Sequence, residues 1–351
     1  MRFVHTALPA RVRFGCGVVS AVGEEAGRLG LRRLLVLCSP GQRALGEMVS
    51  VALAERSAGL LPAAREHVPV EVADAARDRA AALGADGCVA VGGGSAIGLG
   101  KAVALEHGLP VIAVPTTYSG SEMTPVWGLT RDGAKRTGRD PRVLPAAVLY
   151  DPELTVKLPV PVSVTSGLNA LAHAVEALYA PDASPVTSLV AQEGVRRLAD
   201  ALPEIVADPA DVAGRALALS GAWLCGVALG STRMGLHHQL CHVLGGTFGL
   251  PHAATHAVLI PHVLAYTAAA APSAAAAVSR ALGASDPARA LGELGRALGV
   301  PGSLAELGLC EDDLALVVDR VLAEPYPNPA PPTRDGLTRL LRRAWAGAEA
   351  S

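Results

Sequence analysis

Paired cysteine spacing is missing from this sequence. Its six cysteines, at 16, 38, 88, 225, 241 and 310, are scattered with no CxxC. A disulfide framework is therefore not expected, and a reducing, cytoplasmic setting is the simple reading. Charge is also scarce: 18% of residues are charged, against the usual ~25%. The formal net charge is −2, so no general affinity for nucleic acid is implied. The N-terminal MRFVHTALPARVRFGCG lacks the apolar core and cleavage pattern of a signal peptide, and none is expected. No uninterrupted stretch of ~20 strongly apolar residues marks a membrane span. What is abundant is apolar residues, half of the 351, enough for large cores and about two domains.

The first half alternates strand and helix signals. Short apolar runs at Arg33–Cys38, Gly87–Gly92 and Pro110–Pro115 carry the mark of buried parallel strands. Shorter strands are expected at Arg11–Phe14, Glu66–Val70 and Val143–Tyr150. Helices are expected at Val18–Leu29, Gln42–Ser57, Ala73–Leu83 and from the glycine turn to about Glu106. This predicts an α/β domain with helices on both faces of a parallel sheet. Past Asp151-Pro152 the chain becomes alanine- and leucine-rich. Val212–Gly230, His237–Leu244, Pro287–Leu298 and Asp335–Trp345 read as helices, alanine being the best helix former. The boundary falls near 155–162, dividing an α/β dinucleotide-binding domain (1–158) from an all-helical substrate domain (159–351). A cleft between two such domains is a common place for a small-molecule site.

Two loops of the first domain point to a nucleotide. Gly92-Gly93-Gly94-Ser95 joins a buried strand to a helix, where glycines admit a phosphate and the helix offers free N–H groups. Alone this is also what a tight turn looks like, and it is not GxGxxG. The next strand ends in Pro115-Thr116-Thr117-Tyr118-Ser119-Gly120, which would line the same crevice. Ser39 ends the second main strand, where an acid often holds a ribose; a serine cannot repel a 2′-phosphate. It serves equally as the start of a turn before Pro40. Lys135 and Arg139 lie in a Gly/Pro loop, as solvated surface charges or as partners for cofactor or carboxylate.

The second domain concentrates histidine. Gly235–His262 holds six of the ten. His238 and His242 are one helical turn apart, as are Asn169 and His173. Gly245-Gly246 is expected to loosen the chain, and Pro251 to deliver His252 to a new segment. One histidine among apolar residues is usually a satisfied core residue. This many suggests a pocket that binds metal, moves protons or holds carboxylates. Cys241 reads as packing within it.

Together the motifs GGGSAIGLGKA, PTTYSGSEMTPVWGLT, GRDPRVLPAAVLYDPELT, SGLNALAHAVEALYA and HHQLCHVLGGTFGLPHAATHAVLIPH resemble the maleylacetate reductases, a branch of the iron-containing alcohol dehydrogenase superfamily. The resemblance implies the dehydroquinate synthase-like fold of that superfamily, NADH or NADPH as cofactor, commonly a homodimer, and reduction of the dicarboxylate maleylacetate to 3-oxoadipate in aromatic-compound degradation. By the same resemblance Gly93, Gly94 and Ser95 hold the pyrophosphate. Thr116, Thr117 and Ser119, with Tyr118 in the same block, line the cofactor, and Lys135 lies near the nicotinamide ribose. His173, His238 and His252 match three metal ligands of the iron enzymes and His242 an additional active-site histidine. Two positions depart from the pattern. Asn169 replaces the aspartate ligand, and Gly98 stands where many relatives carry aspartate. The first departure predicts that no metal is required. His173, His238, His242 and His252 are then expected to handle proton and enolate, with His237 a weaker candidate, and Arg139 and Lys135 to meet the carboxylates. The rivals are a metal-dependent alcohol dehydrogenase, a dehydroquinate-synthase-like lyase and a non-catalytic binding protein.

Overall fold

A computed structural model describes residues 3–8, 10–131 and 134–350, with backbone alone at 134 and 135. The chain forms two compact units, Leu8–Leu158 and Pro159–Ser351 with Met1–Ala7.

In the first unit, six strands build one parallel sheet. They are β1 (Arg11–Phe14), β2 (Leu34–Cys38), β3 (Ser57–Pro62), β4 (Gly87–Gly92), β5 (Val111–Pro115) and, after the hairpin described below, β8 (Ala147–Tyr150). Their order is β1-β8-β5-β4-β2-β3. Four helices alternate with them: α1 (Val22–Arg28), α2 (Arg43–Leu53), α3 (Val70–Ala82) and α4 (Gly94–His107). The side-chain period of two explains the continuous apolar runs. Leu34, Val36, Cys38, Val89 and Val91 join one core with Val22, Ala26 and Val49 of α1 and α2. Leu35, Leu37 and Cys88 join another with Ala73, Ala76, Ala96 and Leu99 of α3 and α4. Both faces are covered, as the α/β expectation requires. Because β2, β4 and β5 are parallel neighbours, the loops after them leave the sheet at one edge.

Three local expectations are corrected. The helix after β2 stops at Leu53, and β3 begins at Ser57, where a helix was expected. The Ser57–Pro62 strand pairs only with β2 and is half-buried throughout, so it shows no buried apolar run. Glu66–Val70 is not a strand: His67 and Val68 have φ of 61° and 47°, and α3 starts at Val70. The basic loop is an antiparallel hairpin of β6 (Val126–Arg131) and β7 (Ala134–Arg139). There Trp127 pairs with Gly138, and a Cβ on Gly138 would lie 2.5 Å from the Trp127 ring. An aromatic side chain covering a cross-strand glycine stabilises a segment whose composition suggests a loop.

The second unit is helical: α5 (Val160–Leu178), α6 (Pro185–Ala207), α7 (Val212–Ser231), α8 (Leu236–Phe248), α9 (His252–Ala268), α10 (Pro272–Leu282), α11 (Pro287–Ala297), α12 (Leu314–Ala323) and α13 (Arg334–Ala346). By length and hydropathy α7 alone among described helices could cross a membrane, yet 56% of that window is buried inside the protein. Gly245-Gly246 does not loosen the chain, because α8 runs through both. The break comes at Gly249, which takes φ 69° and whose N–H bonds to Gly245 O at 3.1 Å. Mid-helix glycine costs about 1 kcal/mol, whereas a left-handed residue ends the helix. Pro251 then begins α9 at His252.

Candidate active site

The sheet unit gathers most of the expected cofactor residues at one edge. Gly93 caps α4, and a Cβ there would meet Thr117 at 2.8 Å. The Gly94 Cβ position lies 3.9 Å from Ser119 Oγ. Thr116 N–H donates to Gly92 O at 3.1 Å, and Thr116 Oγ1 accepts from Gln42 Nε2 at 2.7 Å. Gln42 belongs to the turn that follows Ser39, so the β2, β4 and β5 loops are tied together. Ser39, Thr117 and Ser119 are half-buried. Tyr118 is different. Its side chain is fully buried, with its hydroxyl 3.5 Å from Thr155 Oγ1. No acidic residue lies in the first turn of α4, so no side-chain charge there opposes an anion at the helix N-terminus.

Arg139 is an exposed residue of β7 rather than of a loop. The Lys135 side chain lies outside the described residues; its backbone pairs with Thr130. Sequence reasoning missed a nearby lysine. Lys101 of α4 is 1% exposed, and its ammonium donates to Ser121 O, Thr124 Oγ1 and Val126 O at 2.7–2.9 Å. Burial pulls its pKa down to about 7, Glu122 opposing and Arg139 adding to the fall. Glu122, fully buried, accepts from the Tyr150 hydroxyl at 2.7 Å. A lysine in the otherwise apolar run IGLGKAVAL was the signal.

In the helical unit α5, α8 and α9 bring the histidines together. His238 Nε2 and His173 Nδ1 are 2.9 Å apart, as are His237 Nε2 and His256 Nδ1. His256 stacks edge-on against His252, centroids 4.5 Å apart, and His252 lies parallel to His242 at 6.4 Å. The group is graded in depth. His242 is exposed, His252 half-buried, His173 and His238 are 5% and 8% exposed, and His237 and His256 are wholly buried.

Behind this group stands Glu176, also missed. It follows Asn169 and His173 on one face of α5, at i+7 and i+3. Its Oε1 accepts from Gly235 N–H and His237 N–H at 2.9 Å each, and its Oε2 bonds His238 Nδ1. Burial pushes the Glu176 pKa up, but the charge and hydrogen bond of His238 outweigh it, and the net shift is downward. The carboxylate thus stays ionised and makes His238 Nδ1 the donor. His238 Nε2 then accepts from His173, or donates to it when His238 is protonated. His237 is held neutral, its pKa lowered to about 3 by burial with Glu176 opposing. His256 falls well below its ordinary value through burial and the surrounding imidazoles. His256 was legible as the i+4 partner of His252.

Nitrogens of His173, His238 and His256 lie within 4.8 Å of one another, as do ligand atoms of His237, Cys241 and His256. No carboxylate joins either group. Glu176 is spent on the far side of His238, and Asn169 offers a neutral amide whose buried Oδ1 has no partner. An anionic ligand strengthens the hold of an imidazole set on a dication, although three imidazoles alone can bind zinc. Either group could hold a metal ion, but without the carboxylate that an aspartate at 169 would add.

Comparison with known proteins gives a consistent result. The profile of iron-containing alcohol dehydrogenases matches residues 9–152, and that of the C-terminal part of the same family matches residues 163–345. A maleylacetate reductase of Burkholderia cepacia is 51% identical, the match covering 99% of each chain. The crystal structures of maleylacetate reductases from Agrobacterium tumefaciens and Rhizobium sp. strain MTP-10005 are each 47% identical, with TM-scores of 0.97 and 0.96 and 99% of both chains covered.

Proposed function

The chain belongs to the iron-containing alcohol dehydrogenase family, and from that premise we propose that it is an NAD(P)H-dependent maleylacetate reductase that works without a metal. The substrate is a ketone conjugated to a carbon–carbon double bond, with a carboxylate at each end. Hydride from the nicotinamide adds to the alkene carbon beta to the ketone. The electron pair moves to the ketone oxygen as an enolate. That oxygen needs a hydrogen-bond donor, and the alpha carbon a proton, to give 3-oxoadipate and oxidised cofactor. In this reading the loops at Ser39, Gly93–Ser95 and Thr116–Ser119 take the cofactor, with Lys135 near its ribose. Arg139 and Lys135 are the candidates for the carboxylates.

The observation that carries the proposal is the buried chain Glu176–His238–His173. A carboxylate behind two imidazoles supports proton delivery, because it stabilises the charged imidazole before the proton leaves. We assign His173 as the donor nearest the enolate, His238 as its relay, and His252 and His242 as the route for reprotonation from the exposed end. Asn169, with its unpartnered amide, is assigned to the substrate. An alcohol dehydrogenase reading would need the carboxylate that Asn169 lacks. Homodimer formation rests on the family resemblance, and a cytoplasmic location on the unpaired cysteine spacing.

The test is maleylacetate-dependent oxidation of NADH and of NADPH, with protein exhaustively treated with EDTA. Full activity after chelation, and use of both cofactors because Ser39 does not repel a 2′-phosphate, are expected. Loss of activity on chelation, restored by one metal only, would move the protein to the metal-dependent branch. No maleylacetate-dependent turnover would sink the proposal.

A further inference from the structure

Away from the histidine group, α9 and α13 form an open pocket of about 160 Å³, lined by His262, Tyr266, Gly336, Arg339, Leu340 and Arg343. At ~30 Å³ per liquid water it has room for several waters or one small oxyanion. Its polar groups come as two pairs at helical spacing. His262 and Tyr266 are one turn apart on α9, and Arg339 and Arg343 one turn apart on α13. Gly336 brings them close. A Cβ there would lie 2.8 Å from the Tyr266 ring, so only glycine lets the phenol lie against α13.

Three observations mark the pocket as a receptor for negative charge. His262 is 8% exposed, and among the described residues neither of its ring nitrogens has a hydrogen-bond partner. The Arg343 guanidinium donates to the backbone carbonyl of Glu349, a neutral partner that leaves its charge uncompensated. Arg339 has no carboxylate partner among the described residues, although Asp335 lies one turn before it. Two neighbouring acids are engaged elsewhere, Asp319 with Arg334 and the Glu349 carboxylate with Arg289.

We infer that this pocket binds a small oxyanion of about two negative charges, an inorganic phosphate or a short dicarboxylate, between Arg339, Arg343 and an N–H of His262. The two arginines supply charge and directed donors and Leu340 an apolar floor, while the Tyr266 hydroxyl is turned to Pro331 O and Thr333 N–H. His262 suits this role as a neutral donor, since burial and Arg343 lower its pKa to about 4. The inference does not depend on the activity proposed above.

The experiment follows the His262 ring resonance of the full chain by NMR, assigned by loss in His262→Asn. Phosphate or succinate is titrated against sodium chloride at equal ionic strength. A saturating shift with phosphate alone identifies a phosphate site, and one with succinate alone a carboxylate site; either supports the inference. In Arg339→Gln, an exposed substitution on a helix face, the midpoint should weaken by about tenfold, one charged hydrogen bond being lost. Arg339→Lys should recover part of it, and turnover without added anion should be unchanged in both. A resonance indifferent to both anions, a chloride response of equal size, or an undiminished shift in Arg339→Gln would overturn it.

Discussion

Replacing Glu176 by Gln tests the proton chain at its buried end. The carboxylate accepts three hydrogen bonds, two from backbone N–H groups at 2.9 Å and one from His238 Nδ1. The amide oxygen of Gln can keep the two backbone donors. Its NH2 then faces His238 Nδ1 and can only donate. His238 must accept there and carry its proton on Nε2, which reverses the direction of the bond to His173. A hydrogen bond to a charged group contributes about 1.5–3 kcal/mol, so stability should fall by that amount. With an m-value near 3 kcal/mol/M, the urea midpoint should drop by about half to one molar. Turnover should fall further, by about two to four powers of ten, because the protonated relay has lost its counter-charge. KM for NADH should change little, since Glu176 bonds only within the helical unit. Stopped-flow NADH oxidation across pH, with circular dichroism as a folding control, separates the two effects. A folded Glu176→Gln enzyme that keeps its turnover within about threefold, with the same pH profile, refutes the relay.

His173→Ala and His252→Ala should each lower kcat by about two to four powers of ten with little effect on NADH affinity, read by steady-state kinetics and cofactor fluorescence titration; near-normal turnover in both would make the histidines structural. Asn169→Asp should raise divalent metal affinity by about an order of magnitude, measured by competition with a chelating dye, without improving catalysis, since a new carboxylate also repels a dicarboxylate. Stability should decline in mild acid. His237 and His262 are neutral in the fold, with pKa values of about 3 and about 4 against 6.5 for a free imidazole. The unfolded chain therefore takes up protons first. The stabilisation is full above pH 6.5 and is lost as pH falls toward those values, by about 1.4 kcal/mol per unit for each group. Urea melts at pH 7 and pH 5 should differ accordingly; equal midpoints would mean that these imidazoles are protonated in the fold.

The sheet was legible because strands buried on both faces must be apolar throughout, and β2, β4 and β5 are. Ser57–Pro62 was not, because an edge strand has one partner and no such composition rule. The hairpin was hidden for another reason: its stability comes from Trp127 lying over Gly138, a contact between residues 11 apart that composition does not reveal. In the site, helical spacing brought out His238 with His242 and Asn169 with His173. The same spacing extended by one step reaches His256 from His252 and Glu176 from His173. Those two are the residues that link the histidines into one network, and His256 lay unread among many histidines while Glu176 lay among alanines. Lys101 shows the limit of pattern reading, since its oxygen partners follow only from the path of the Ser121–Val126 segment.

Gly98 carries a consequence for how this chain can change. Val68 Cγ2 lies only 2.7 Å from where a Cβ on Gly98 would sit. Val68 reaches that spot from a left-handed backbone, φ 47°, which a β-branched residue adopts at a cost of about 1–3 kcal/mol. The two positions are therefore locked as alternatives. Aspartate at 98 collides unless residue 68 shrinks or the 67–68 turn relaxes, and a smaller residue at 68 leaves a void while 98 remains glycine. A change at either position alone should therefore lower stability, and a paired change at 98 and 68 should recover part of the loss.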